Sequence, residues 1–245
     1  PGTFYSSHRI MSRMTHMGDD PLFGPATLQT FGTMTIADCL CRDNMIVEEW
    51  LVRDNLRALL QLGGDPVATA QRLAEADADG DQARHAWRIE AIERLRTAGS
   101  VPANAHPAEP LVRMLERAFR DDLPGKAAGV LSPAVELHWP TNRHGFGRGY
   151  WIGCVTQLRA MLHAPVFAVE HVAARPLPYG DMAVALRWSL AGTHQGHGAW
   201  GPPTGRTILI MAVSHYRLRQ GQVVEDYTVF DELAVLRQVM GGLGA

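Results

Sequence analysis

The feature that most constrains this chain is that it repeats itself. The stretch "IVEEWLVRDNLRALLQLGG" (Ile46–Gly64) returns near the end as "VVEDYTVFDELAVLRQVMGG" (Val223–Gly242). Upstream of each, "THMGDDPLFGPAT" (Thr15–Thr27) matches "THQGHGAWGPPT" (Thr193–Thr204). The copies lie 178 residues apart at His16 and His194, and 177 apart at Asp54 and Asp231. A nearly constant offset over about fifty residues predicts a duplicated structural unit.

Each copy ends in the same local grammar. A segment of strand character (Leu28–Arg42, Arg206–Arg219) meets a turn, "RDNM" or "RQGQ". Asn and Gly tolerate the positive φ that tight hairpins need. A second strand follows (Ile46–Arg53, Val223–Phe230), and Asp54 or Asp231 then opens a helix, where Asp accepts from free amides. Leu56, Leu59 and Leu60, and Leu233, Leu236 and Val239, give apolar helical stripes.

Only the second copy is complete upstream. Leu111, Leu115 and Phe119 predict a first helix, "PGKAAGVLSP" a short second one, and Val135–Trp139 a strand. The Gly-rich "TNRHGFGRGY" reads as a loop into a helix over Trp151–His163. Val166–Pro176 and Asp181–His194 read as two more strands. This order gives an α+β cone, one curved antiparallel sheet wrapped around helices, present as two tandem copies. Residues 1–64 form the C-terminal part of the first copy, 65–106 a helical linker and 107–245 the complete second copy. The first copy lacks its front helices and first strand, which predicts a longer parent chain or a half-domain completed by another subunit.

Several function classes are disfavoured. Formal net charge is −2 with no basic block, unlike a nucleic-acid surface. No apolar run reaches the length of a membrane span, and "PGTFYSSHRIM" lacks the basic-then-apolar order of a signal peptide. Cys39, Cys41 and Cys154 lack metal spacing and read as reduced thiols of a cytoplasmic protein.

The combined pattern H-x-G … GPPTGR … G-x-V-V-E-D-Y-x-x-x-D-E-L-x-x-L-R-Q resembles the SnoaL-like polyketide cyclases of the NTF2-like superfamily. The resemblance covers Pro107–Gly242 and, as a half-domain, Phe4–Gly64. It implies a cone with a deep pocket, and cofactor-free aldol cyclisation of polyketide-type esters with an aspartate as acid/base. It also implies sheets that pair across a two-fold axis, either in a homodimer or between the two copies of one chain.

Alternation in the last strand puts Glu225, Tyr227, Val229 and Asp231 on one face, with Glu48, Trp50, Val52 and Asp54 equivalent. This row is expected to line the pocket, where loss of solvation raises a carboxylate's pKa. Asp231 is then the expected acid/base, with an N-cap as its plain structural role. Glu225 is expected to orient a partner or to hold an arginine. His215 is expected to polarise a carbonyl or to sit as a core histidine. Tyr227, Trp139, Trp188, Trp200 and His194 are expected to bind a flat apolar substrate or to pack the core.

His194 and His197 lack a third ligand nearby, and His138 and His144 could join them only by folding, so no metal is expected. "HGFGRG" lacks the Lys-Ser/Thr of a phosphate loop, and no cofactor is expected. The favoured reading is cofactor-independent acid/base catalysis on a small molecule. The rivals are a non-catalytic binding or dimerisation module, and an epoxide-type hydrolase built from Glu225, Asp231 and Arg187.

Overall fold

A computed structural model describes residues 2–78, 82–101 and 106–241. Pro102–Ala105 of the expected linker, and residues 242–245, lie outside the described residues. Strands β1 (Thr3–Thr15), β2 (Thr30–Arg42) and β3 (Met45–Arg53) form a three-stranded antiparallel sheet. Helices α1 (Asn55–Gln61), α2 (Pro66–Ala78) and α3 (Gln82–Ala98) follow. Next come α4 (Glu109–Phe119), α5 (Pro124–Ala127), β4 (Leu131–Trp139), β5 (Arg143–Phe146) and α6 (Arg148–Ala160). The chain closes with β6 (Leu162–Pro176), β7 (Met182–His194), β8 (Thr207–Arg219), β9 (Gln222–Phe230) and α7 (Glu232–Gly241).

The second sheet runs β5-β4-β9-β8-β7-β6. Its pairs are antiparallel except β4 with β9, where His138 stands beside Tyr227. The β2–β3 and β8–β9 hairpins each turn on two positive-φ residues, Asp43-Asn44 and Gln220-Gly221, as the sequence predicts. The segment read as a Gly-rich loop contains β5. Its three-residue turn places Thr141 and Asn142 at positive φ and returns His144 opposite His138.

The six-stranded sheet is covered on its inner face and, over β6 to β9, on its outer face. Inside its curve, α4 and α6 bring Leu111, Leu115, Phe119, Trp151 and Val155 against Leu137, Leu186, Trp188 and Phe230. Outside it, the three-stranded sheet covers β8 and β9, and Ala91, Ile92 and Leu95 of α3 pack on Ala168, Ala191 and Leu209. The segment expected to be a linker is therefore part of the packing: α2 lies along α7, with Ala74 close against Gly241. On the other face of the three-stranded sheet, α1 packs around Phe31, while Phe4, Ile10 and Ile46 stay exposed. No helix among the described residues is long and apolar enough to cross a membrane.

The seam between the sheets is reciprocal. Met34, Ile36 and Val52 pack with Met211, Val213 and Val229, each 177 residues further on. The Arg9 guanidinium lies 3.3 Å over the Tyr227 ring, and that of Arg187 lies 4.1 Å over Trp50. Asp231 accepts from Asn55 Nδ2 at 2.6 Å, and Asp54 accepts from the Thr141 amide at 2.8 Å.

Ile36 is wholly buried in this seam. An Ile36→Ala variant is expected to lose about 2–4 kcal/mol. Thermal denaturation of both proteins measures the loss, and a melting point within a degree of wild type would mean that the seam contributes little.

Candidate functional site

The row of β9 expected to line a pocket faces the seam instead. Tyr227 lies between Arg9 and His138. Glu225 pairs with Arg217 at 2.9 Å. His215 is hydrogen-bonded to Ser7 of β1 at 2.8 Å, and burial, with Arg9 nearby, lowers its pKa to about 4. The physical reason is two-sided burial. On β8 and β9 both rows are packed, so no polar face marks which side points into the cone.

The row that does point inward is Asp226, Thr228 and Phe230. Asp226 is fully buried. Its Oδ2 accepts from Trp139 Nε1 at 3.1 Å and its Oδ1 from Thr228 Oγ1 at 2.7 Å. Thr228 Oγ1 is bonded to Ser214 Oγ at 2.7 Å, and Trp188 Nε1 donates to Ser214 at 2.9 Å. With the Thr228 proton committed to Asp226, Ser214 must donate to Thr228, so the chain from Trp188 runs one way and ends on the carboxylate. Among the described residues no cation pairs with Asp226. Burial raises its pKa to about 7, and the hydrogen bonds from Thr228 and Trp139 only partly offset this. The neighbouring Tyr216 phenol is pushed well above its ordinary range, chiefly by burial and then by Asp226.

The indole that holds Asp226 also walls a cavity of about 280 Å³ between α6, the β7–β8 loop and the end of β9. Trp139, Phe230, Cys154 and Leu158 form its apolar side, and Arg143, Glu232 and His197 its polar rim. Glu232 is nearly sealed, paired with Arg143 at 2.9 Å and accepting from the Thr141 hydroxyl.

Asp231 sits elsewhere. It caps α7, accepting from the Leu233 amide at 3.0 Å, so the plain structural role is realised. It also borders a cavity of about 330 Å³ at the seam, walled by Trp87, Arg88, Arg237 and Asn55. Burial raises its pKa to about 6 against the Asn55 hydrogen bond. Asp54, the equivalent cap on α1, is raised to about 6 as well, chiefly by burial.

Of the expected aromatic wall, Trp139 alone reaches either of these cavities. Trp188 and Trp200 are buried in the core, and Trp200 meets His194 edge-on at 6.0 Å. His194 is sealed, bonded to Thr204 Oγ1 at 3.2 Å, and burial lowers its pKa. His16 and Thr27 make the same contact at 3.2 Å. Glu225, Asp231 and Arg187 are not gathered: Arg187 pairs with buried Asp38 at 2.8 Å, alongside His171 at 2.9 Å.

Alternation along β9 puts Asp226 on the face opposite the expected row. The usable signal was chemical, a carboxylate in step with Thr228 and Phe230, rather than periodic. Pattern alone joins His138 and His144 to His194 and His197 only through folding. The β4–β5 hairpin joins His138 to His144 over Glu136, whose Oε1 accepts from His138 Nε2 at 2.8 Å and His144 Nε2 at 3.1 Å. Those two hydrogen bonds hold the Glu136 carboxyl below its usual range.

A raised carboxylate pKa makes the folded state hold a proton that the unfolded chain has released. The stability contributed by protonated Asp226 is full below about pH 4 and is lost as pH rises to about 7. Relative to wild type, Asp226→Asn should therefore gain stability between pH 5 and 8, on the order of a few kcal/mol. Paired melting curves across that range test this. A difference independent of pH would mean that Asp226 titrates normally.

The family model for SnoaL-like polyketide cyclase matches residues 110–239. Three solved structures are similar in part. A SnoaL-like polyketide cyclase from Jannaschia Sp. CCS1, described as putative, is 21% identical with a TM-score of 0.46, covering 58% of this chain and 95% of its own. AclR, a putative hydroxylase from Streptomyces galilaeus, is 22% identical with a TM-score of 0.47, covering 58% and 88%. IdmH, a putative polyketide cyclase from Streptomyces antibioticus, is 22% identical with a TM-score of 0.45, covering 54% and 97%. A search of curated proteins finds no match.

Proposed function

We propose a cofactor-independent acid/base enzyme for a small, largely apolar molecule, from the premise that the chain belongs to the SnoaL-like polyketide cyclase family. The observation that carries the reading is Asp226. A carboxylate sealed among aromatic rings with only neutral donors costs stability, and its pKa of about 7 suits proton exchange near neutral pH. Ketosteroid isomerase likewise sets an Asp base in an apolar site.

In this reading the substrate enters at the 280 Å³ cavity against Trp139 and Phe230, and a turn of the Trp139 indole opens the way to the carboxylate. Asp226 takes a proton from carbon next to a carbonyl. The enolate carbon attacks a second carbonyl in the same molecule, and the new alkoxide takes the proton back from Asp226. The ring closes with no net change in protons.

Two observations support reading the chain as two copies of one unit, with 1–64 the later part of the first, 65–106 a helical connector and 107–245 the second. The seam contacts are reciprocal at offsets of 177 and 178, Arg9 over Tyr227 and Arg187 over Trp50. The His–Thr contact recurs in both. Such a seam is the isologous interface of a two-fold dimer, written within one chain.

A second reading keeps Asp231 as the base, because it borders the larger cavity and its pKa is about 6. Arg88 on the same wall would set a cationic charge beside an anionic substrate group.

Turnover of linear poly-β-keto methyl esters by wild type, Asp226→Asn and Asp231→Asn separates these readings. Asp226→Asn is expected to lower kcat about a hundredfold or more, with Asp231→Asn changing it less than tenfold. The reverse order transfers the role to Asp231. Binding without turnover in wild type would make the protein a binding module.

A further inference from the structure

On the outer face of β4 and β5, Glu136, His138 and His144 bring one ligand atom each to a common point, all within 4.8 Å of one another. We propose that this hairpin binds one divalent transition-metal ion of the zinc class. The fold supplies the geometry. His138 and His144 are directly opposed across the antiparallel pair, and Glu136 lies two residues before His138, hence on the same face.

The separations suit the ion. Four-coordinate zinc with bonds of about 2.1 Å holds neighbouring ligand atoms about 3.4 Å apart. Glu136 Oε1 stands 2.8 Å from one imidazole nitrogen and 3.1 Å from the other, so small side-chain shifts admit the metal between them. Two imidazoles and one carboxylate suit zinc, and cobalt, nickel or copper, better than calcium or magnesium, which need more oxygen ligands. Water completes the coordination.

The rings are already oriented. His138 stacks on His144 at 4.5 Å and on Tyr227 at 4.2 Å with planes 2° apart. Tyr227 is held from its other side by Arg9, and His144 meets Phe146 edge-on at 5.0 Å. A ligand set fixed by such contacts loses little entropy on binding. The site lies on the opposite side of the sheet from Asp226, so its occupancy does not depend on the catalytic reading. The plain competitor is a carboxylate that accepts two hydrogen bonds and binds nothing.

Zinc titration calorimetry on the full chain, stripped of metal by chelator, tests the proposal, with cobalt(II) absorption as a report on ligand geometry. One ion per chain is expected, with a dissociation constant below about 10 µM. The melting point should rise by about 5 °C at a hundredfold excess over that constant. His144→Ala and Glu136→Gln, both at accessible positions, should each weaken binding tenfold or more while melting like wild type without metal. Unchanged binding in both variants would assign the ion to other histidines and overturn the site, as would no stoichiometric uptake of zinc or cobalt at 100 µM.

Discussion

The structure depends on burying the outer face of β8 and β9. A single curved sheet closed over helices leaves its convex side to water, and here that side carries Met211, Val213 and Val229. Exposed, they would form an apolar patch that invites association. The three-stranded sheet supplies the cover, and Met34, Ile36 and Val52 complete the cluster. The charged groups nearest this cluster are paired or neutral. Asp38, nearly sealed at the seam, is met by Arg187 and His171. His215 stays neutral against Ser7 because burial makes its charge costly.

That cover changes what the inner face can hold. With the seam anchored by apolar and cation–ring contacts, the interior tolerates an acid that contributes nothing to stability in its ionised form. Asp226 is kept in place by Trp139 and by the one-way chain Trp188–Ser214–Thr228. These neutral donors orient the carboxylate without pinning it in the charged state, as an arginine would. Asp38 shows the alternative in the same molecule: equally buried, but ion-paired and so committed to structure.

Much of this fold was legible in the sequence. The two hairpin turns and the Asp-capped helices follow from residue pattern, and the helices and strands it places fall within a few residues of their observed positions, whereas the parallel pairing of β4 with β9 departs from the antiparallel sheet it predicts and β1 is not placed by it. What periodicity could not give was the parity of β9. Alternation identifies inside from outside only when one face is wet, and both faces of this strand are dry around Val229 and Phe230. Glu225 and Tyr227 therefore looked equivalent in kind to Asp226 and Thr228. The β5 strand was hidden for another reason: four residues, two of them His and Gly, carry too little β character to stand out from a loop, and only pairing with β4 defines them.

The register of β4 on β9 ties the two sides of the sheet together. This is the one parallel pairing among the described strands, with Leu137 beside Asp226 and His138 beside Tyr227. In that register Trp139 points inward, one step beyond, and its indole reaches Asp226. His138 points outward onto the Tyr227 ring, and Glu136 and His144 gather around it. A slip of one residue would turn Trp139 out of the core and drive His138 into it, because side chains alternate with period two. The inner carboxylate and the outer histidine pair are thus set by the same pairing, and neither can be rearranged by sliding β4 without losing the other.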